Sequence, residues 1–163
     1  MKKNLMMALA MLALAAAAHA KGGTMNDVKK GVVQQDVAVL AQGGKVVVTV
    51  SLANGSARPV YVPKAVFEDD ELFARTFDVT DAATGAEVDY IGPMVKRAPY
   101  TRDDYLAVKP GTRRSHSIDI TRSFDFKPGR SYKVAYAGAY LHDLARLDAG
   151  VSAPSAPATF TFK

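Results

Sequence analysis

The sequence predicts an all-β protein, an immunoglobulin-like antiparallel β-sandwich of about seven strands. Three observations carry this reading. Short segments alternate apolar and polar residues with a period of two and are rich in Val, Thr, Ile and aromatic residues. Turn-forming Gly, Pro, Asn and Asp residues separate these segments about every 8–12 positions. No amphipathic helical pattern of useful length competes with them.

Residues 45–53 give the strongest strand, with Val46, Val48, Val50 and Leu52 on one face and Val47, Thr49 and Ser51 on the other. A shorter run around Val37 and Val39, over 35–41, leads into it through the Gly43-Gly44 turn. Asn54-Gly55-Ser56 ends the long strand with residues that tolerate positive φ. The triplet also fits an N-glycosylation acceptor and is read here as a turn. Pro59 and Pro63 bracket a short strand of Val60, Tyr61 and Val62, as suits an edge or a strand end. The acidic run at 68–71 lacks the spaced oxygen ligands and central glycine of a calcium loop, so it reads as a solvated loop. β character resumes over 73–79, and a hairpin loop at 81–85 returns it as a strand over 87–91.

Residues 98–104 form a polar loop, followed by a strand over 105–109 and a Pro110-Gly111 turn. Residues 113–121 alternate again, with Arg114, His116, Ile118 and Ile120 on one side. Pro128-Gly129 turns the chain into a strand over 131–137. There Tyr132 stands two residues before Val134, the pattern of a tyrosine corner, whose ring packs in the core while its hydroxyl bonds nearby backbone. Leu141, Leu144 and Leu147 have helical spacing and predict a short helical turn. Residues 152–157 read as a linker, and 159–163 close with Phe160 and Phe162 in phase.

The N-terminus carries the localisation signal. Lys2 and Lys3 precede an apolar run too short to span a bilayer, and Ala18-His19-Ala20 supplies a small-x-small cleavage site. Residues 1–20 are expected to be a signal peptide, 21–34 a loose leader and 35–163 the β-sandwich domain. The exported product, periplasmic or extracellular, would have 163 − 20 = 143 residues and no stable membrane anchor. Its formal charge, 19 − 16 = +3 without Lys2 and Lys3, is scattered among acidic residues rather than gathered in the stripe a nucleic-acid binder needs. The chain has no cysteine, which excludes disulfides, thiol catalysis and cysteine zinc sites.

Catalytic patterns are missing. Beyond residue 20 only His116 and His142 remain, and neither belongs to a His-Glu-x-x-His helix. There is no Gly-x-Ser-x-Gly elbow, and Gly44-Lys45 lacks the first glycine of a phosphate loop. The neighbouring acids Asp69-Asp70 and Asp103-Asp104 sit on loops that point them to solvent. No catalytic residue, metal or cofactor is expected.

The least generic stretch is 89–97, Asp-Tyr-Ile-Gly-Pro-Met-Val-Lys-Arg. With it come, in order, Phe77-Asp78-Val79-Thr80, Thr84-Gly85, Asp104-Tyr105, Val108-Lys109-Pro110-Gly111, Ile118-Asp119-Ile120, Pro128-Gly129, Tyr132-Lys133-Val134 and Tyr136. This series resembles the N-terminal immunoglobulin-like region that precedes the catalytic domain in bacterial members of the deuterolysin and peptidyl-Lys metalloendopeptidase family. It covers roughly 35–138. In that family a His-Glu-x-x-His helix and a downstream Asp hold zinc, and this sequence contains none of that set. The resemblance therefore implies the role of a front domain: assisting folding, masking an active site, or binding a substrate or partner.

The expected function is a secreted, non-catalytic β-sandwich that binds protein. The resemblance implies a secreted metalloprotease as partner, which the domain would inhibit or help to fold. Tyr90, Lys96, Arg97 and Tyr105 are the candidate contact residues, since Tyr and Arg are enriched at binding hot spots. The competing reading of the same residues packs Tyr90 inside and leaves Lys96 and Arg97 in surface ion pairs. The alternative function is a glycan- or adhesion-type binding module of the cell envelope.

Overall fold

The structure is a computed structural model that describes residues 28–163. The signal peptide expected at 1–20 and the first half of the leader, 21–27, lie outside the described residues. The chain is all-β and its sheets are antiparallel. In the first sheet the order is β1 (Val33–Gln42), β2 (Lys45–Asn54), β6 (Thr112–Asp119). In the second it is β10 (Ala158–Thr161), β7 (Ser131–Ala135), β4 (Asp78–Asp81). Two ribbons complete it: β3 (Val60–Pro63) with β5 (Tyr105–Val108), and β8 (Ala139–Tyr140) with β9 (Val151–Ser152).

The period of two in β2 becomes a division between core and solvent. Val46, Val48, Val50 and Leu52 are completely buried and meet Val79, Tyr132, Val134, Phe124 and Phe160 in one cluster. Both three-stranded sheets thus share one core, an arrangement consistent with a β-sandwich. On the outer face, hydroxyls form rungs between β2 and β6, Thr49 with Ser117 at 2.8 Å and Ser51 with Ser115 at 2.7 Å. Gly43 and Gly44 both take positive φ, 60° and 73°, in a two-residue hairpin that pairs Gln42 with Lys45.

Ten strands occur among the described residues where about seven are expected, because short ribbons and two-residue pairs add to the main sheets. Regular β structure in the 73–91 region is limited to Asp78–Asp81. Beyond it only isolated bridges occur, Thr80 with Glu87 and Tyr90 with Phe124. The helical turn expected around Leu141, Leu144 and Leu147 does not form; that stretch starts in β8 and continues in bends and turns. A four-residue helix, α1 (Lys64–Phe67), appears instead, and it buries Val66 and Phe67.

Asn54-Gly55 behaves differently from the turn expected of it. Neither residue has positive φ. Asn54 is fully buried, and its amide donates to the carbonyls of Arg58 (2.8 Å) and Val108 (2.9 Å). Gly55 is required for close approach: a Cβ there would collide with the carbonyl oxygens of Lys29 and Val32.

The segment at 152–157, read as a linker, is fixed, and its first residue belongs to β9. The Ser155 hydroxyl accepts the Tyr136 N–H at 3.0 Å, and Gln35, buried on β1, donates its side-chain amide to the Ala153 carbonyl at 2.5 Å.

Candidate functional site

Between α1, the loop at 69–76, the irregular stretch at 95–105 and the start of β8 lies a cavity of about 660 Å³. Its lining is mostly apolar, with Val66, Phe73, Ala74 and Val95 among the contributors; Asp69, Glu71, Arg97, Tyr100, Tyr105 and Tyr136 bring polar groups. A concave, apolar surface carrying a few convergent polar groups is the usual form of a binding site.

The chain positions these side chains through local bonds. Thr101 caps a single 3-10 turn at Arg102–Asp104, and the Asp104 carboxylate accepts both the Thr101 N–H (2.8 Å) and its hydroxyl (2.9 Å). That carboxylate also takes the Arg97 guanidinium at 2.7 Å. The Thr101 N–H, then Arg97 and the Thr101 hydroxyl, hold Asp104 below the usual carboxylate range. Arg97 in turn lies over the ring of Tyr100 at 4.7 Å, and Tyr100 is tilted against Tyr105 at 5.8 Å. The bond to Asp104 is the main cause raising the Arg97 pKa.

Tyr136 forms the inner wall. Its ring meets Phe77 edge-on at 5.9 Å, and the residue is 4 % exposed. The ring lies directly over Gly138, where a Cβ would collide with it. Burial, with Tyr100 and Tyr105 nearby, pushes the Tyr136 phenol far above its usual range. Burial is also the main cause raising Tyr105.

Two of the four candidate residues, Arg97 and Tyr105, line this cavity. Tyr90 is not among the lining residues. It is half-buried, packs edge-on against Phe124 at 5.4 Å, and donates its hydroxyl to the Pro93 carbonyl at 2.8 Å. It is an anchor for the loop that follows. Lys96 is exposed and lies outside the cavity lining. Tyr132 sits in the core, 2 % exposed, and its hydroxyl accepts the Lys127 N–H at 2.8 Å.

Sequence reasoning missed Phe73, Tyr100 and Tyr136 and set aside Asp69 and Glu71 as solvated. Tyr136 alone left a signal, since it shares an alternating phase with Tyr132 and Val134.

The two histidines among the described residues keep separate company. His116 Nε2 lies 3.0 Å from the Asp69 carbonyl oxygen, and His142 stacks edge-on with Tyr140 at 5.2 Å. Among the described residues no three His, Asp or Glu side chains gather as a metal site would require. Also among them, no helix is long and apolar enough to cross a membrane. The fold and site together define an all-β protein with an aromatic-lined cavity beside an irregular, exposed loop. No protein-family model matches this chain, and no curated protein sequence matches it either.

Proposed function

We propose that the protein is an exported, non-catalytic binding domain that docks a partner protein across the loop at 91–105 and its adjoining cavity. One observation carries this reading. Of the eight exposed large hydrophobic residues among the described ones, Ile91, Met94, Val95 and Tyr100 fall within ten positions, with exposures of 61 %, 79 %, 58 % and 44 %. A fifth, Phe73, is tied to them by the Val95 N–H, which donates to its carbonyl at 3.0 Å. Apolar residues gathered on one irregular segment mark an interaction surface, whereas scattered ones are ordinary. Tyr100, Arg97 and Met94 are also of the types favoured in interface centres.

The resemblance to the front domain of deuterolysin-type proteases supports a secreted metalloprotease as that partner, inhibited or helped to fold. The test mixes the protein with a secreted peptidyl-Lys metalloprotease and follows both peptide cleavage and recovery of activity after denaturation of the protease. A change in either that Met94→Asp with Val95→Asp removes is the expected result. No change in either at micromolar excess overturns the protease partner.

A second reading, a glycan-binding module of the envelope, draws support from the three tyrosines around one cavity. Affinity electrophoresis in gels cast with cell-wall polysaccharide tests it, and unaltered migration rejects it.

A further inference from the structure

The cavity holds one cation already and has the groups for a second. Arg97 sits between the Tyr100 face and the Asp104 carboxylate, 4.7 Å and 2.7 Å away, so one guanidinium is fully provided for from within the chain. The remaining carboxylates in the lining, Asp69 and Glu71, form no side-chain hydrogen bond or ion pair with the described residues. Asp69 is half-buried and Glu71 exposed at the rim. Asp69 also acts on Arg97 through space, but counting Arg97, Asp104, Asp69 and Glu71 the site still carries a formal charge of −2, with neither Asp69 nor Glu71 in a direct ion pair among the described residues.

Tyr136 supplies an independent observation. Its residue is 4 % exposed and lines the cavity, yet its hydroxyl has no hydrogen-bond partner among the described residues. No fully buried side-chain polar atom of those residues is left unpaired, so the Tyr136 hydroxyl is one that the cavity itself reaches. A phenol at a cavity wall with no partner inside the fold can bond an incoming polar group in place of water. Phe73, Val66, Ala74 and Val95 provide an apolar channel alongside it.

From this arrangement we infer that the cavity binds a basic side chain, arginine or lysine, carried on an apolar segment of a partner polypeptide. Its aliphatic stem packs against Phe73 and Val95, and its charged end meets the carboxylates of Asp69 and Glu71. The Tyr105 ring takes the place beside it that Tyr100 takes beside Arg97, and the Tyr136 hydroxyl accepts a hydrogen bond from the charged end. The inference rests on the protein-binding reading and names the chemistry that reading would select.

The test titrates ¹⁵N-labelled protein with blocked tripeptides Leu-Arg-Leu, Leu-Lys-Leu, Leu-norleucine-Leu and Leu-Glu-Leu, with chitotetraose as a glycan probe. Amide resonances around 69–76 and 95–105 report occupancy. The basic peptides should bind about tenfold tighter than the norleucine peptide, and that margin should shrink as salt is raised. Combining Asp69→Asn with Glu71→Gln, neither of which removes a bond within the fold, should abolish the margin while leaving the spectrum of the free protein intact.

Equal or tighter binding of the norleucine or Glu peptide overturns the inference. So does tighter binding of chitotetraose, or the absence of perturbation by any peptide. Any of these can occur while the protease experiment still succeeds, so failure of the cation preference is distinguishable from failure of the protein-binding reading.

Discussion

The Tyr132 hydroxyl accepts the backbone N–H of Lys127, five residues upstream, at 2.8 Å. The bond spans the Pro128-Gly129 turn and fixes where β7 starts. The ring at the same time packs edge-on against Phe126 at 5.0 Å and tilted against Phe160 at 5.6 Å. Tyr132→Phe keeps the ring and removes only the acceptor, so it should cost about 1 kcal/mol, toward the lower end for an orphaned donor beside solvent. Tyr132→Ala should cost about 3–5 kcal/mol because it also empties the core position. Urea unfolding of both variants separates bond from ring.

Asn54 is the second test of a buried polar residue. Beyond its two donated bonds, its side-chain oxygen accepts the Ser56 N–H at 3.0 Å and the Ser56 hydroxyl at 2.6 Å. Asn54→Ala leaves those groups without their partner and should lower stability by about 2–3 kcal/mol. Gly55→Ala should also destabilise, because its Cβ has no room beside Lys29 and Val32. Expression in a glycosylating host should give protein of unmodified mass, since the Asn54 amide is already committed inside the fold.

Three carboxylates, Asp81, Asp104 and Asp119, are held below their ordinary range, and the first two serve for the pH dependence. Asp81 is lowered first by the Thr84 N–H, against partial burial, with help from the Thr84 hydroxyl, the Ala83 N–H and Arg130 at 2.8 Å. Asp104 is lowered first by the Thr101 N–H. In both, the unfolded chain takes up its proton at higher pH than the folded one. Their contribution is therefore complete above 3.8 and lost as pH falls through the folded values below it. Asp81→Asn should flatten the acid limb of a stability profile measured by urea unfolding.

Tyrosines that the fold wholly or partly buries act on the other limb. Tyr136, Tyr90, Tyr105 and Tyr140 are all raised, chiefly by burial. Stability they contribute is present below 10.0 and declines as pH rises above it.

Tyr90 and Arg97 should separate loop order from surface charge. Tyr90→Phe removes the bonds to the Pro93 and Leu72 carbonyls, 2.8 Å and 3.3 Å, and should speed hydrogen exchange at Ile91, Gly92 and Val95. Arg97→Ala loses only an exposed ion pair and a cation–π contact, so global stability should change by less than about 1 kcal/mol. An equal effect of both variants on exchange would contradict this division.

The strands were legible where period and hydrophobicity agree. Val46 to Leu52 could be read directly, because each alternate residue enters the core and its neighbours bear hydroxyls or face solvent. The 139–152 stretch misled because Leu141 is buried while Leu144 and Leu147 are not in the core, so helical spacing there reflects no helical face. Arg97 and Tyr105 were found by residue type. The cavity that joins them to Asp69, Glu71, Phe73 and Tyr136 depends on packing between residues 24 or more positions apart, which alternation does not encode.

The register of the first sheet has a consequence for how the chain is made. β1 and β2 pair through a two-residue turn, but β2 pairs with β6 across residues as distant as Val47 and Asp119. During synthesis the hairpin is complete long before its second neighbour exists. Until then the row Val46, Val48, Val50 and Leu52 is an exposed greasy ledge with one unpaired edge. A nascent or translocating chain halted before residue 112 should be the form that holdase chaperones retain.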